Sequence, residues 1–198
     1  HYVLEPGMNV VQVARMLKLG LQTPVRVTIN NVRTPAQLAG KLARQIEADS
    51  ATIVGALTDP ATARKAGFDS VTLFSMFIPD TYEFYWTVSP AQFIERMRRE
   101  YDRFWTPQRD AKRQRSGLSR LEVMTLASIV YEETRQSDEM PRIAGVYINR
   151  LRKGWPLQAD PTVKYALQEF GLRRILHRHL KYPSPYNTSV SYTHLTLP

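Results

Sequence analysis

The sequence predicts an α+β chain in which a small βαβα module precedes a mainly helical region with short strands. Three observations carry that reading. Val25-Arg26-Val27-Thr28-Ile29 alternates apolar and polar residues with the period of a strand. Several later stretches repeat apolar residues at three- and four-residue spacing behind a capping residue. The composition, 43% apolar, 10% aromatic and 23% charged over 198 residues, is that of a globular chain, enough for one sizeable domain or two small ones.

Taken in order, Tyr2-Val3-Leu4 predicts a first strand, broken by Pro6-Gly7. Asn9 to Leu19 predicts a helix with its stripe at Val10, Val13, Ala14 and Leu17, closed by Gly20. The alternating run at 25–29 is the second strand. Thr34 as N-cap with Pro35 in the first turn starts a helix through Leu38, Leu42 and Ile46, and the module ends near Asp49. Ser50 to Gly67 reads as one or two short helices with a break at Asp59-Pro60. Phe77 to Trp86 is the densest aromatic stretch, a core candidate. Its Pro79 and the polar Asp80, Thr81 and Glu83 predict a bent, partly exposed segment. Ser89-Pro90 opens an amphipathic helix (Phe93, Met97, Tyr101, Phe104) with Arg96, Arg98, Arg99 and Arg103 on its outer face. Arg109 to Gly117 is expected to be a charged, solvated connector.

Leu118 to Thr134 carries the clearest helix pattern. Ser119 and Glu122 have capping-box spacing, and Val123, Leu126, Ala127 and Val130 form the stripe for burial. A helix from Pro141 follows (Ile143, Ala144, Tyr147, Ile148, Leu151), stopped by Gly154. Asp160-Pro161 predicts an N-cap and first-turn proline for a helix to Phe170, and 182–188 is loop or extended. The expected organisation is a module over 1–49, a connecting helical and aromatic region over 50–117, a core over 118–188 and a separate tail over 189–198.

Charge and composition exclude whole classes of chemistry. Lys and Arg exceed Asp and Glu by 27 − 18 = 9, with a pI near 9.9, which favours polyanions, anionic headgroups or an acidic polymer. There is no cysteine, so disulfides, thiolate metal sites and cysteine nucleophiles are out. The four histidines show no metal-ligand pairing, and no metal or cofactor is expected. P-loop, dinucleotide-binding, zincin and nucleophile-elbow motifs are all missing. The basic run from Arg109 to Arg120 lacks the interleaved aromatics of a nucleic-acid groove, so no nucleic-acid partner is expected.

Chemistry concentrates at Tyr131-Glu132-Glu133-Thr134. On a wheel centred on Val123, Glu132 falls about 180° away, on the water side, and Glu133 about 80° off, beside Leu126 and Ile129. Partial desolvation of Glu133 would raise its pKa, and a carboxyl kept protonated near neutral pH is what glycosidic cleavage needs as general acid. The plainer alternative is a helix-end ion pair with Arg135 or Arg142. Asp160 can accept from sugar hydroxyls but is also explained by capping. Gln158 offers donor and acceptor, and Tyr186-Asn187-Thr188 suits N-acetyl recognition or any turn.

Five segments occur together in a recognisable order: Phe77-Ile78-Pro79-Asp80-Thr81-Tyr82, Leu126 to Thr134, Ala144 to Leu151, Leu157-Gln158-Ala159-Asp160-Pro161-Thr162 and Tyr186-Asn187-Thr188. In order and approximate spacing they resemble the endolytic murein transglycosylase (MltG, YceG-like) family, from about Tyr2 to Thr188. The resemblance implies a lytic transglycosylase that cleaves the MurNAc-β-1,4-GlcNAc bond of glycan strands and leaves 1,6-anhydromuramoyl ends. The family's acid-x-acid pattern begins here at Tyr131, so its catalytic acid falls on Glu133. Gln158, Asp160, Tyr186 and Asn187 become substrate-contacting or acid-orienting candidates.

The same resemblance implies a LysM-like module over 1–49 and a mainly helical catalytic domain. It further implies an anchor upstream in a bacterial inner membrane, a periplasmic catalytic part, peptidoglycan strands as substrate and peptidoglycan synthases (penicillin-binding proteins) as partners. Two departures stand out. No membrane anchor precedes His1, and Ser189 to Pro198 departs from the family pattern, as a non-native tail on a C-terminally truncated core would. The rival reading is a non-catalytic peptidoglycan-binding scaffold that works through the LysM-like part.

Overall fold

In the computed structural model, which describes residues 2–190, the chain divides into two compact units, His1–Phe104 and Trp105–Pro198. This division cuts across the expected 50–117 region. Most of the expected tail at 189–198 lies outside the described residues. Among the described residues no helix is long and apolar enough to cross a membrane.

The first unit opens with helix α1 (Val10–Lys18), closed at its start by a reciprocal box between Asn9 and Gln12. None of its residues is fully buried, and Val10 is 84% exposed. Strand β1 (Val25–Ile29) follows, then α2 (Pro35–Leu42), whose N-cap Thr34 accepts from the Gln37 N–H. The predicted run of this helix through Ile46 is shortened. The Gln45 N–H turns back to the Leu42 carbonyl, a tight closing turn that still leaves Ile46 buried. The expected break at Asp59-Pro60 separates α3 (Ser50–Thr58) from α4 (Pro60–Lys65).

The predicted strand at Tyr2–Leu4 is not formed. The partner of β1 is instead β2 (Asp80–Phe84), inside the aromatic stretch, antiparallel with Val27 opposite Tyr82 and Val25 opposite Phe84. Val27, Ile29, Tyr82 and Phe84 bury one face of this ribbon, and Thr28 and Thr81 bridge their hydroxyls 2.8 Å apart on the other. A two-stranded ribbon is not stable alone. It is covered by α5 (Pro90–Phe104), whose Phe93 lies 5.8 Å from Phe77 and 5.2 Å from Phe84, ring centre to ring centre. The outer arginines of α5 are tied to acids of the same helix: Arg96 to Glu100, Arg98 to Asp102, Arg99 to Glu95 and Arg103 to Glu100.

In the second unit a helix stands where the sequence predicts a connector. The charged connector is helix α6 (Pro107–Ser116), capped by Thr106 at its start and by Gly117 at φ 79° at its end. Its charges are not simply solvated. Asp110 joins Arg113, at 3.0 Å, to Arg120 of the next helix, and these two guanidinium groups hold its carboxyl down at about 2. Helix α7 (Arg120–Glu133) starts with the predicted Ser119–Glu122 box. Its buried face is rotated from the predicted stripe, however. Thr125, Leu126, Ile129 and Val130 are buried, whereas Ala127 is exposed and Val123 only half-buried. Helices α8 (Met140–Arg152), α9 (Asp160–Leu167) and α10 (His177–Leu180) complete the unit. Leu126, Ile129 and Val130 meet Tyr147, Leu157 and Ala159 in its core.

Candidate active site

The rotation of α7 decides where Glu133 goes. It stands four residues after Ile129 and seven after Leu126, so it continues the buried line of the helix instead of bordering it. At the last position of α7 the line emerges from the core, and Glu133 is exposed. Its carboxyl nevertheless meets other elements. The Tyr147 hydroxyl of α8 donates to it, and Asp160 and Lys164, one turn apart on α9, lie close enough to act on its charge. Desolvation raises the Glu133 pKa, and the Asp160 charge pushes the same way. The Tyr147 hydrogen bond and Lys164 pull it back without reversing the direction. Tyr147 is itself raised, first by burial and then by the facing carboxylate.

Glu132 differs from expectation. Its side chain is 28% exposed, and Arg135 lies 3.8 Å from it while stacking over Tyr131 at 4.6 Å. Of the two neighbouring acids, Glu132 is thus the one beside Arg135, the arginine offered as an ion-pair partner for Glu133. The expected order of exposure is reversed, with Glu133 the exposed residue and Glu132 the half-buried one, so the two carboxyls are set apart by what faces each.

The 156–162 segment and the 182–188 loop are built as one piece. The Thr188 hydroxyl accepts from the Ala159 N–H at 3.1 Å and lies 2.8 Å from the Thr162 hydroxyl, which in turn donates to the Ala159 carbonyl. Asp160 is therefore not the N-cap that its sequence context suggests. Ala159 holds that position, Thr188 satisfies its N–H, and the exposed Asp160 carboxyl is left to face Glu133 and Tyr147. Helix α9 also ends earlier than predicted, at Leu167, because Gln168 turns left-handed at φ 57°.

Gln158 is exposed and sits at φ 54°, a conformation that costs a non-glycine residue about 1 kcal/mol. It is held there by its own N–H to the Thr188 carbonyl and by Arg150, which donates to the Gln158 side chain at 3.1 Å and to the Leu157 carbonyl at 2.7 Å. Tyr186 is half-buried, edge-to-face with Tyr165 at 5.1 Å. Asn187 is different: it is 0% exposed, and its amide donates to the carbonyls of Leu180 at 3.1 Å and Tyr182 at 2.9 Å and reaches that of His179 at 3.4 Å. In this arrangement it holds the loop, and its donors have no room for a ligand.

Glu133 and Asp160 thus share one exposed neighbourhood, with Gln158 two residues before Asp160 and Tyr186 on the loop bonded to that segment. Sequence reasoning missed Tyr147, Lys164, Arg150 and the structural part of Thr188. In the sequence Tyr147 reads as one more member of an apolar stripe. The i, i+4 spacing of Asp160 and Lys164 was the one available hint that a cation shared the site. Among the described residues no group of three or more His, Asp or Glu could hold a metal ion.

Comparison with known proteins bears on the same segments. The model of the YceG-like family matches residues 1–198. The chain belongs to the YceG-like family. It is similar to the endolytic murein transglycosylase of Bacillus subtilis (strain 168), 26% identical over 202 residues that cover 94% of this chain. A protein of the same description from Streptococcus pneumoniae (D39) is 28% identical over 113 residues, 55% of this chain. The crystal structure of a yceG-like protein from Listeria monocytogenes superposes with a TM-score of 0.76 at 26% identity, over 99% of this chain and 70% of that one. The chain spans about half the length of the Bacillus protein, 56%, and 20% of the pneumococcal one. The family and the α+β fold expected from the sequence both hold.

Proposed function

We propose that this chain carries the bond-cleaving step of an endolytic murein transglycosylase, with Glu133 as its acid and base. The observation that carries the reading is the placement of one carboxyl at the end of α7, met by the Tyr147 hydroxyl and by Asp160 and Lys164 of α9, with its pKa raised by partial burial.

Glu133 gives its proton to the glycosidic oxygen as the bond from the MurNAc anomeric carbon to that oxygen breaks, and the GlcNAc end leaves as an alcohol. The C6 hydroxyl of the same MurNAc then bonds to its own anomeric carbon and returns its proton to Glu133. No water is consumed, and the product ends in a 1,6-anhydro ring. One carboxyl therefore serves where hydrolases position two. Asp160 and Gln158 are placed to meet sugar hydroxyls and N-acetyl groups, Tyr186 offers an aromatic surface to a sugar ring, and Asn187 fixes the loop that carries it. The substrate is the murein glycan strand outside the cytoplasm, in keeping with the basic charge of the chain. A single-pass inner-membrane protein working beside penicillin-binding proteins fits this reading.

The test is digestion of uncrosslinked glycan strands, with products weighed by mass spectrometry. Glu133→Gln keeps the shape and removes the proton. It is expected to cut formation of ends lighter by one water at least about 10³-fold, with Glu132→Gln falling less than about tenfold. Unchanged anhydro-end formation by a folded Glu133→Gln variant overturns the assignment. A pure scaffold would bind glycan and yield no such ends even unmutated.

A further inference from the structure

The second unit carries a charge distribution that the cleavage reading leaves unused. Between Phe170 and Val190 the sequence has no acidic residue, yet Arg173, Arg174, Arg178 and Lys181 fall within nine positions, with His177 and His179 among them. All four fixed cations are exposed. Arg178 Nε lies 3.2 Å from His179 Nε2, and among the described residues no acid pairs with any of the four. The arginines of α5 make the contrast, since each of Arg96, Arg98, Arg99 and Arg103 pairs with an acid of its own helix, Arg96 and Arg103 sharing Glu100. An uncompensated strip of this density repels itself and is retained at a cost unless an anion answers it.

Its position says which anion. α10 packs on α9. The carbonyls of His179, Leu180 and Tyr182 are bonded to Asn187, and the adjoining Thr188 is bonded to Ala159 and Thr162 in the first turn of α9, where Asp160 faces Glu133. The backbone around Arg178 and Lys181 is thereby tied to the turn of α9 that carries Asp160. A murein strand is a chain of sugars with short peptides ending in free carboxylates, and guanidinium groups pair with carboxylates in a fork geometry. We propose that Arg173, Arg174, Arg178 and Lys181 form a subsite for the carboxylates of the peptide stems on the strand bound at Glu133. The inference rests on the murein reading and adds to it that acidic stems, not bare sugar, are the preferred substrate.

Binding is measured with the full chain as Glu133→Gln, so that turnover plays no part. The probes are uncrosslinked glycan strands with free stem carboxyls and the same strands after those carboxyls are converted to amides. Free-acid strands are expected to bind about tenfold tighter at low salt, four exposed pairs each contributing a few tenths of a kcal/mol. The difference shrinks as salt rises. Arg173→Gln, Arg174→Gln, Arg178→Gln and Lys181→Gln combined erase it, while affinity for the amidated strands moves less than about twofold.

Equal binding of the two strands at low salt overturns the subsite without any variant being needed. So does a combined variant that keeps the preference. Sedimentation with phosphatidylglycerol vesicles that depends on the four cations, without a strand preference, would assign the strip to a lipid surface and also overturn it. None of these results touches the anhydro-end assay, so the subsite and the cleavage reading fail separately.

Discussion

The two units hold themselves together by different means. Among the described residues the first unit buries one polar side chain, Ser75, beneath an aromatic and aliphatic core built on Phe77, Phe84, Phe93 and Met97. The second buries Thr125, Thr162, Asn187 and Thr188, and three of these four form the joint between the start of α9 and the 182–188 loop. Apolar contact is non-directional and tolerates small shifts, whereas a buried hydrogen-bond network fixes angles and registers at little net gain in stability. The unit that carries Glu133 is the one that uses the directional kind. Polar burial here marks a place where position matters more than free energy.

That contrast can be broken. Phe93 is 1% exposed and sits between Phe77 and Phe84, so Phe93→Ala is expected to lower unfolding free energy by about 3–5 kcal/mol. The measurement is chemical denaturation. Asn187→Ala comes next, at about 2–3 kcal/mol, because three carbonyls lose their donor inside the fold. Hydrogen exchange should localise its effect to residues 179–190, and anhydro-end formation should fall with it, since Tyr186 and Thr188 lose their support. If Asn187→Ala leaves exchange in that loop unchanged, the polar joint is not what orders the site. If Phe93→Ala costs less than Asn187→Ala, the division of labour between the units is wrong.

Legibility in the sequence follows the same line. Helix starts are readable where a cap is a local event: Thr34 and Ser119 accept from the expected N–H groups, whereas Asp160, the third predicted cap, yields that position to Ala159. The strand pair was not, because β1 finds its partner some fifty residues on, and alternation in one strand says nothing about which segment answers it. The helix at 107–116 hid behind its charges: Asp110 draws in Arg113 and Arg120 only in three dimensions, while Lys112 and Arg115 stay exposed. At the site, a wheel centred on the wrong residue still directed attention to Glu133. The true face, set by Thr125 and Ile129, could not be known from spacing, because a buried threonine reads as polar in any periodicity count. The network of Thr162, Thr188 and Asn187 was invisible for the same reason. Small polar residues look like turn formers until the backbone groups they satisfy are seen.

The finest discrimination concerns Tyr147, which belongs both to the apolar core and to the acid. Its hydroxyl stabilises the charged form of Glu133, opposing the desolvation that dominates. Tyr147→Phe removes that hydrogen bond and makes the surroundings less polar, so both changes raise the Glu133 pKa further. A general acid works while protonated, and activity is lost as pH climbs through its pKa. The alkaline limb of the pH–rate profile should therefore move to higher pH in the variant, while stability changes by no more than about 1 kcal/mol, because ring and volume are kept. A purely structural tyrosine would lower the rate equally at every pH. An unmoved alkaline limb, or one displaced toward acid, would detach Tyr147 from the proton and leave it among the packing residues of α8.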